Sequence, residues 1–358
     1  MIIFSVGPIE MQTEAMKHIA AKLMKSDVIS IEPIEGGRNS QVYRLIGSDS
    51  QTYALKAYFC HTSDNCDRLR TEFSSLCFLW ENGVRNIPRP LVADWKQGCA
   101  LYEYIDGQKI VMEEITDAEV DAAILFLVDL KNLKDRARSY HLAPAVEACF
   151  SVQAIVENIQ HRLYLLIGQC ANEESYKDLN EFLDHDLMPR LKEIVCWCQT
   201  SLMRAHMSFD LEIDPSERTV SPSDFGFHNA LKLNNGQLVF LDFEYFGWDD
   251  PAKMVADMLL HPGMNLAESL KRRFAHGIIQ EFTDYPHLAK RIEILYPLFG
   301  IKWCLILLNE FLPEHLLRRR FASVHGLQRH TLQTEQLAKA KRMLQMVSEV
   351  YENFPYFD

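Results

Sequence analysis

Three polar residues lie close together in the segment SPSDFGFHNALKLNNGQLVFLDF, residues 221–243. Asp224 precedes Asn229 by five residues, and Asp242 follows Asn229 by thirteen. Amide and carboxylate oxygens suit a hard cation such as Mg²⁺, and an unpaired carboxylate can accept the proton of a hydroxyl group. Turn chemistry explains any one of these residues, but it explains the three together poorly. The spacing therefore favours a second interpretation over turn chemistry, in which the three residues are a catalytic base and a pair of metal ligands.

A lysine and a glutamate earlier in the chain could hold phosphate groups. Phosphoryl transfer asks a protein for positioning and charge neutralisation rather than for covalent chemistry. Lys56 lies in the middle of a predicted strand, in the pattern Ala-x-Lys. Glu72 follows sixteen residues later, at the edge of the apolar face of a predicted helix. Taken alone, each residue is better explained as a charged side chain in solvent. Their joint placement favours another interpretation, in which Lys56 binds phosphate and the carboxylate of Glu72 orients it.

Two weaker signals concern the nucleotide. The turn between the first two predicted strands offers backbone N–H groups that could cover phosphates, although Gly-Gly in a hairpin often indicates only a tight turn. The candidate residues in this turn are Gly36, Gly37, Asn39 and Ser40. At the end of the fifth predicted strand, in LYEYIDG, we expect the carbonyl of Glu103 and the amide of Ile105 to face the nucleotide base.

The first hundred or so residues are predicted to be rich in strands. Alternating segments bounded by turn residues predict three strands and then, after a helix that ends near Gly83, two more. The first three strands cover residues 27–34, 41–47 and 51–59, and the last two cover PLVADW and CALYEYI. A small sheet with one helix is therefore predicted before Asp106, where the pattern changes.

Beyond Asp106-Gly107 the chain is predicted to be mainly helical. Thr116 and Glu119 fit a capping box that opens a helix, and Asn234-Asn235-Gly236 predicts a hairpin. Further helices are predicted over about 148–168, 175–206, 250–260, 265–282, 288–310 and 332–352. We therefore predict an α+β, bilobal protein kinase-like fold, with a small antiparallel-sheet lobe and a larger, mainly helical lobe. The predicted lobes cover residues 1–105 and 106–358.

The composition limits the classes of function. A net charge of −12 disfavours a protein that binds mainly nucleic acid, since phosphate neutralisation needs clustered cations, and it is compatible with a cationic small substrate. The nine scattered cysteines predict free thiols rather than disulfides or a metal site. No segment approaches the ~18 uninterrupted apolar residues of a membrane span. We expect a cytoplasmic protein with no nucleic-acid or membrane partner, and the oligomeric state stays open.

The motifs together resemble the aminoglycoside phosphotransferase and choline kinase-like branch of the protein kinase superfamily. GGRNSQVYRL is similar to the Gly-Gly loop of that family, and LDFEYFGWDDPAKMVAD resembles its Asp-Phe segment followed by Gly-x-Asp-Pro. The resemblance covers roughly residues 30 to 262. A protein kinase is disfavoured, because Asp250-Pro251 follows Asp242 with no long activation segment between them.

The resemblance implies a role for each candidate residue. Asp224 would be the catalytic base that deprotonates an acceptor hydroxyl, and Asn229 and Asp242 would hold Mg²⁺ against the phosphates of ATP or GTP. Lys56, paired with Glu72, would contact the α and β phosphates. The implied activity is transfer of the γ-phosphate to a small-molecule hydroxyl, of an aminoglycoside, amino alcohol, sugar or similar compound.

Two further acids have weaker implied roles, Glu244 at a second metal ion and Asp257 as a brace for the catalytic loop. The chain departs from the family at Pro222-Ser223, where His-Gly usually precedes the base. This departure leaves a second interpretation open, a pseudokinase-like nucleotide-binding or regulatory module with weakened catalysis. The complete set of candidate site residues favours the enzyme. His228 is interpreted as a packed or hydrogen-bonded loop histidine.

Overall fold

The computed structural model describes residues 9–34, 40–59, 67–170, 176–322 and 329–357. The chain forms two compact units, each assembled from several segments. The sheet unit consists of Met1–Lys109, Asn229–Phe246 and Glu314–Leu327, and the helical unit consists of Ile110–His228, Gly247–Pro313 and Gln328–Asp358. Asp224 therefore belongs to the helical unit, whereas Asn229 and Asp242 belong to the sheet unit.

Five strands form an antiparallel sheet in the sheet unit. They are β1 Val28–Ile34, β2 Ser40–Gly47, β3 Thr52–Tyr58, β4 Pro90–Asp94 and β5 Cys99–Glu103. Their order across the sheet is β1-β2-β3-β5-β4, which confirms the five strands predicted from alternating sequence. Because β3 is the central strand, the backbone at Lys56 is paired on both sides, with Val42 on β2 and with Ala100 on β5.

Two helices of the sheet unit are α1 Ile9–Met24 and α2 Arg68–Glu81. The predicted helix α2 is present, and the side chain of Asp67 caps it by accepting the N–H of Arg70 at 3.0 Å. Helix α1 was not predicted. Its residues Met16 and Ala20 are buried in one apolar cluster with residues of β1, β2, β3 and β5, so packing against the sheet stabilises this helix.

Five short strands follow in the described part of the chain. They are β6 Gln108–Lys109, β7 Thr219–Ser221, β8 Ala230–Lys232, β9 Leu238–Phe240 and β10 Gly247–Asp249. In the sheet unit β6, β8 and β9 form a second antiparallel sheet, and in the helical unit β7 pairs with β10. The predicted hairpin is confirmed as β8 and β9, with Gly236 at a φ of +84° in its turn, where glycine meets no steric penalty.

The remaining helices lie in the second two-thirds of the chain. They are α3 Asp117–Asn132, α4 Lys134–Ser139, α5 Val152–Cys170, α6 Lys177–Glu181, α7 Met188–Arg204, α8 Pro251–Leu260, α9 Glu268–Glu281, α10 Leu288–Leu307, α11 Pro313–Ala322 and α12 Arg329–Val350. The capping box predicted at Thr116 and Glu119 is present at the start of α3. The single helix predicted over 175–206 is instead α6 and α7 with a π-helical turn between them, Phe182–Leu187, which widens the helix locally.

One helical segment among the described residues, Leu288–Phe311, is long and apolar enough to cross a membrane. Within its most apolar stretch, 83% of the residues are buried inside the protein. A helix that is apolar on all sides is expected at the centre of a large core as well as in a membrane. The burial therefore accounts for the composition of this segment.

Candidate active site

Lys56 is buried between two carboxylates of the sheet unit. Its ammonium lies 2.6 Å from Oε2 of Glu72 and 2.8 Å from Oδ1 of Asp242. The contact between Lys56 and Glu72 is the pair expected from their places on β3 and α2. Although burial alone would lower the pKa of Lys56, the carboxylates of Asp242 and Glu72 raise it well above its ordinary value. The ammonium therefore stays charged. We call these three residues the Lys56 cluster.

Glu72 is held from several directions. The hydroxyl of Tyr58 donates a hydrogen bond to its Oε2 at 2.7 Å, and the amide of Phe243 donates to its Oε1 at 3.4 Å. Tyr58 in turn lies 2.7 Å from the hydroxyl of Tyr102. Burial raises the pKa of Glu72 above its ordinary value in spite of the neighbouring Lys56 ammonium. The carboxyl group of Glu72 is thus positioned by its surroundings and does not depend on Lys56 alone.

Asp242 lies just beyond the hairpin and has a strained backbone. Its φ of +64° is in the left-handed region, which is uncommon for residues other than glycine and is found at functional sites. The carbonyl of Asn229 accepts the N–H of Leu241 at 2.7 Å, so that the pairing of β8 with β9 extends one residue further. The hairpin therefore brings Asn229 and Asp242 together at its open end, although thirteen residues separate them.

Three carboxyl groups of the sheet unit could hold a cation. Glu72, Asp242 and Glu244 each offer one oxygen, and these oxygens all lie within 4.8 Å of one another. Burial, together with the nearby Asp242, raises the pKa of Glu244 to about 8, as expected where like charges are crowded away from water. Oxygen-only donors suit Mg²⁺. The residues present therefore fit the predicted cation, with the partly exposed Asp242 as the accessible ligand.

Asp224 lies in a loop of the helical unit, between β7 and the 3₁₀ turn Phe227–Asn229. Its carboxylate is partly exposed, and Oδ1 lies 3.2 Å from Nε2 of His228 and 3.7 Å from Nε2 of His261. His228 is thus a hydrogen-bonded loop histidine, as predicted. The preceding residue, Ser223, has a φ of +68°. Ser223 stands where the family usually has glycine, and it keeps the backbone conformation that glycine adopts most easily.

A second buried lysine supports this loop. The ammonium of Lys253 donates to Oγ of Ser223 at 2.9 Å and lies 2.8 Å from Asp249 and 3.0 Å from Asp257. Although burial alone would lower the pKa of Lys253, the two carboxylates raise it. The indole N–H of Trp303 donates to the other oxygen of Asp257 at 2.9 Å. Lys253 contacts the loop directly, and Asp257 contacts Lys253 from the other side. We call Lys253, Asp249, Asp257 and Ser223 the Lys253 cluster.

The remaining predicted nucleotide contacts are spread along the sheet unit. Gly36, Gly37 and Asn39 lie outside the described residues. Ser40 begins β2 and is buried, and Glu103 ends β5 and is exposed. Ile105 follows β5 and is half-buried. Contact of these residues with a nucleotide stays a prediction.

Sequence patterns did not identify Lys253 or His261. Lys253 and Asp257 lie four residues apart on α8, and opposite charges at this spacing lie side by side on a helix, so a signal for this pair was available. His261 follows Asp224 by 37 residues, and no local spacing links the two.

Solved structures similar to this chain share its fold at low sequence identity. Spectinomycin phosphotransferase APH(9)-Ia, in complex with ADP and spectinomycin, gives a TM-score of 0.60 at 12% identity, covering 95% of this chain and 98% of that chain. Choline kinase LicA from Streptococcus pneumoniae gives a TM-score of 0.59 at 17% identity, covering 94% of this chain and 99% of that chain. An ethanolamine kinase from Plasmodium vivax gives a TM-score of 0.59 at 16% identity, covering 92% of this chain and 86% of that chain. These likenesses confirm the predicted kinase-like fold.

The sequence itself matches one family. No curated protein sequence matches the chain. The sequence model of the phosphotransferase enzyme family matches residues 30–290, well over half of the 358 residues, and this range includes every candidate site residue named above. The predicted family is therefore confirmed: the chain belongs to the phosphotransferase enzyme family.

Proposed function

We propose that this chain transfers the γ-phosphoryl group of ATP or GTP to the hydroxyl group of a small acceptor molecule. The observation that carries the proposal is the contact of Lys56 with Glu72 and Asp242, at 2.6 and 2.8 Å, inside the part of the chain that matches the family. An ammonium group has three N–H donors, and Lys56 uses two of them among the described residues. The third N–H supports a role in binding phosphate oxygens.

Charge neutralisation at the phosphates is the main task of the sheet unit in this proposal. Lys56 would contact the α and β phosphates, and Glu72 would keep its ammonium oriented. Asn229 and Asp242 would hold Mg²⁺, with Glu244 at a second ion. When bound, Mg²⁺ neutralises the negative charge that the phosphate oxygens carry during transfer.

The nucleotide would also contact the backbone of the sheet unit. The turn residues that would cover its phosphates are Gly36, Gly37, Asn39 and Ser40. The carbonyl of Glu103 and the amide of Ile105 would face the base. Spectinomycin phosphotransferase was solved with ADP and choline kinase LicA with AMP, which supports an adenine nucleotide as the donor.

Asp224 would accept the proton of the acceptor hydroxyl. Its carboxylate is partly exposed, as a base that meets a substrate has to be. His228 and His261 lie near its Oδ1. A positioned general base contributes roughly 10²- to 10⁴-fold to a rate. The loss expected on removing the Asp224 carboxylate is of this size.

The acceptor would be an aminoglycoside, an amino alcohol, a sugar or a similar compound. The named acceptors of the similar structures, spectinomycin, choline and ethanolamine, support this class. The net charge of −12 favours an acceptor that carries positive charge. We also propose that the protein acts in the cytoplasm, without a nucleic-acid or membrane partner.

Nucleotide consumption in the presence of a panel of hydroxyl compounds tests the proposal. The panel contains choline, ethanolamine, aminoglycosides and simple sugars, each with MgATP and with MgGTP. The wild-type chain is expected to consume nucleotide faster with at least one acceptor. Asp224→Asn is expected to lose this acceptor-dependent consumption by at least about 100-fold while it still binds MgATP.

The alternative function is a pseudokinase-like module with weakened catalysis. It is motivated by Pro222-Ser223 before the base, where Ser223 has a positive φ of +68° that is unfavourable for serine. Thermal unfolding with MgATP, MgGTP and nucleotide alone separates the two functions in combination with the acceptor panel. A rise of Tm with nucleotide, but no acceptor-dependent consumption across the panel, would favour the module. Acceptor-dependent consumption that requires Asp224 would exclude it.

A further inference from the structure

Two stacked histidines face one oxygen of Asp224. The ring centroids of His228 and His261 lie 3.7 Å apart, and the ring planes differ by 7°. Nε2 of His228 lies 3.2 Å and Nε2 of His261 lies 3.7 Å from the same atom, Oδ1 of Asp224. His228 belongs to the 3₁₀ turn Phe227–Asn229, and His261 is the C-terminal cap of α8. Two separate elements of the helical unit therefore converge on one carboxylate oxygen.

The hydrogen bonds of His261 assign its neutral tautomer. The N–H of Gly263 donates to Nδ1 of His261 at 3.1 Å, so Nδ1 is an acceptor. In a neutral imidazole the other nitrogen then carries the proton. The Nε2–H of His261 therefore faces Asp224. Trp303 packs edge-on against the His261 ring, with centroids 4.7 Å apart, and its own N–H is fixed by Asp257.

His228 carries its proton on the same ring nitrogen. An ionised carboxylate only accepts hydrogen bonds, so Nε2 of His228 is the donor in its 3.2 Å contact with Asp224. Nδ1 of His228 is buried and has no hydrogen-bond partner among the described residues. A β carbon at Gly226 would lie 2.8 Å from this Nδ1, so the lack of a side chain at Gly226 makes room for the ring.

The same three side chains have the composition of a metal site, and their donor atoms all lie within 4.8 Å of one another. A histidine that binds a metal directs a lone pair at the ion and donates the N–H of its other nitrogen. His261 does the reverse, because its Nδ1 accepts from Gly263. The geometry favours hydrogen bonding to Asp224 over metal coordination.

We propose that His228 and His261 are positioning residues for Asp224, which fix the orientation of its carboxylate toward the acceptor hydroxyl. This role rests on the proposed function, in which Asp224 accepts the hydroxyl proton. His228 donates directly to Oδ1. His261 stacks on His228 and keeps the ring of His228 in place. Misplacement of a reacting group by about 1 Å costs on the order of 100-fold in rate, so a fixed carboxylate matters.

Nitrogen-15 NMR of the full chain, labelled at histidine, tests the tautomers without any acceptor. His228→Gln and His261→Gln assign the two sets of signals. Both rings are expected to carry the proton on Nε2 at neutral pH, and Asp224→Asn is expected to shift both Nε2–H signals. A proton on Nδ1 of His261 would overturn the proposal. Signals that Asp224→Asn leaves unchanged would overturn it as well.

Kinetics separate positioning from folding. His228→Leu and His261→Leu are expected to lower kcat by roughly 10- to 100-fold, with the KM for MgATP unchanged, in the acceptor panel described above. The matched Gln variants are expected to recover most of kcat, because a glutamine N–H can reach the place of Nε2–H. His276→Leu, at an exposed histidine of α9, controls for loss of a ring. Thermal unfolding checks that each variant is folded.

The outcomes distinguish this proposal from the proposed function. Full acceptor-dependent activity in Asp224→Asn would contradict the proposed function itself. Activity that is lost in Asp224→Asn but kept in both Leu variants would overturn only the positioning role, as would equal losses in the Leu and Gln variants. Saturable Zn²⁺ binding to the wild-type chain that His261→Leu abolishes would also overturn it, in favour of a metal site.

Discussion

Both units contain a buried lysine that lies between two carboxylates, Lys56 in the sheet unit and Lys253 in the helical unit, but of these two clusters only that of Lys56 is open to solvent. In the sheet unit, the side chain of Lys56 is 10% exposed and that of its partner Asp242 is 35% exposed. In the helical unit, the side chain of Lys253 is 1% exposed and that of its partner Asp249 is 0% exposed. Similar charges therefore build an open Lys56 cluster and a closed Lys253 cluster.

The difference separates a ligand site from a structural support. Lys253 contacts Asp249, Asp257 and the hydroxyl of Ser223, and these three partners use all three donors of its ammonium group. Lys56 makes two such contacts among the described residues, and its partner Asp242 has a strained backbone. A closed cluster is expected to contribute to stability, whereas an open and strained one is typical of a functional site.

The largest change in stability is expected from Lys253→Met. This variant leaves Asp249 and Asp257 buried without a cation, which costs about 3–5 kcal/mol in proteins where such pairs have been broken. Equilibrium unfolding in urea measures the change in the free energy of unfolding. Lys192→Met, at an exposed lysine of α7, is the matched control and is expected to change it by less than about 0.5 kcal/mol. A cost below about 1 kcal/mol for Lys253→Met would contradict the closed cluster's structural role.

A smaller, pH-dependent change is expected from Glu147→Gln in the helical unit. Arg162 and Lys302 lie 2.7 and 2.9 Å from the carboxylate of Glu147. Although burial alone would raise the pKa of Glu147, these cations lower it from 4.5 to about 2. Because the folded-state pKa is the lower one, the stabilisation is present above about pH 4.5 and is lost as the pH falls toward 2.

Glu147→Gln is therefore expected to lower the free energy of unfolding by about 1–3 kcal/mol at pH 7, because water reaches part of the carboxylate and weakens its ion pairs. The difference from wild type is expected to narrow as the pH falls below about 4.5. Urea unfolding of both chains at pH 7 and at pH 4 measures this trend. A difference that stays constant or grows in acid would show that Glu147 does not stabilise the folded chain through its charge.

A change in stability smaller than that of Lys253→Met is expected from Lys56→Met, because its partner carboxylates can adapt to the loss of the cation. Asp242 is accessible to water, and Glu72, whose pKa is already raised, can take up a proton while Tyr58 continues to donate to it. Binding of MgATP, in contrast, is expected to weaken at least tenfold. Urea unfolding and calorimetric titration with MgATP measure the two effects. A stability cost equal to that of Lys253→Met would remove the distinction between the clusters.

The open cluster could be predicted from the sequence because local patterns set the place of each member. Strand alternation located Lys56, helical periodicity located Glu72, and the Asn-Asn-Gly turn located the hairpin before Asp242. The same patterns predicted the sheet and most of the helices. Helix α1 escaped them because its stability depends on packing against the sheet, which only the folded chain reveals.

The closed cluster and the histidine pair could not be predicted in the same way. Charges spaced as in Asp249, Lys253 and Asp257 most often mark a solvated helix face, and only tertiary packing buries them here. His261 reaches Asp224 because α8 ends beside the loop, and no local pattern encodes that meeting. The positive φ of Ser223 could not be predicted from its residue type either, because serine rarely takes this conformation.

The assignment of this chain as a hydroxyl phosphotransferase is tested most directly by one variant, Asp224→Asn. The measurement is acceptor-dependent consumption of MgATP by the variant and by the wild type, with calorimetric binding of MgATP to both. We predict that the variant binds MgATP as the wild type does and loses acceptor-dependent consumption by at least about 100-fold. Unchanged acceptor-dependent consumption would contradict the role of Asp224 and, with it, the proposed function.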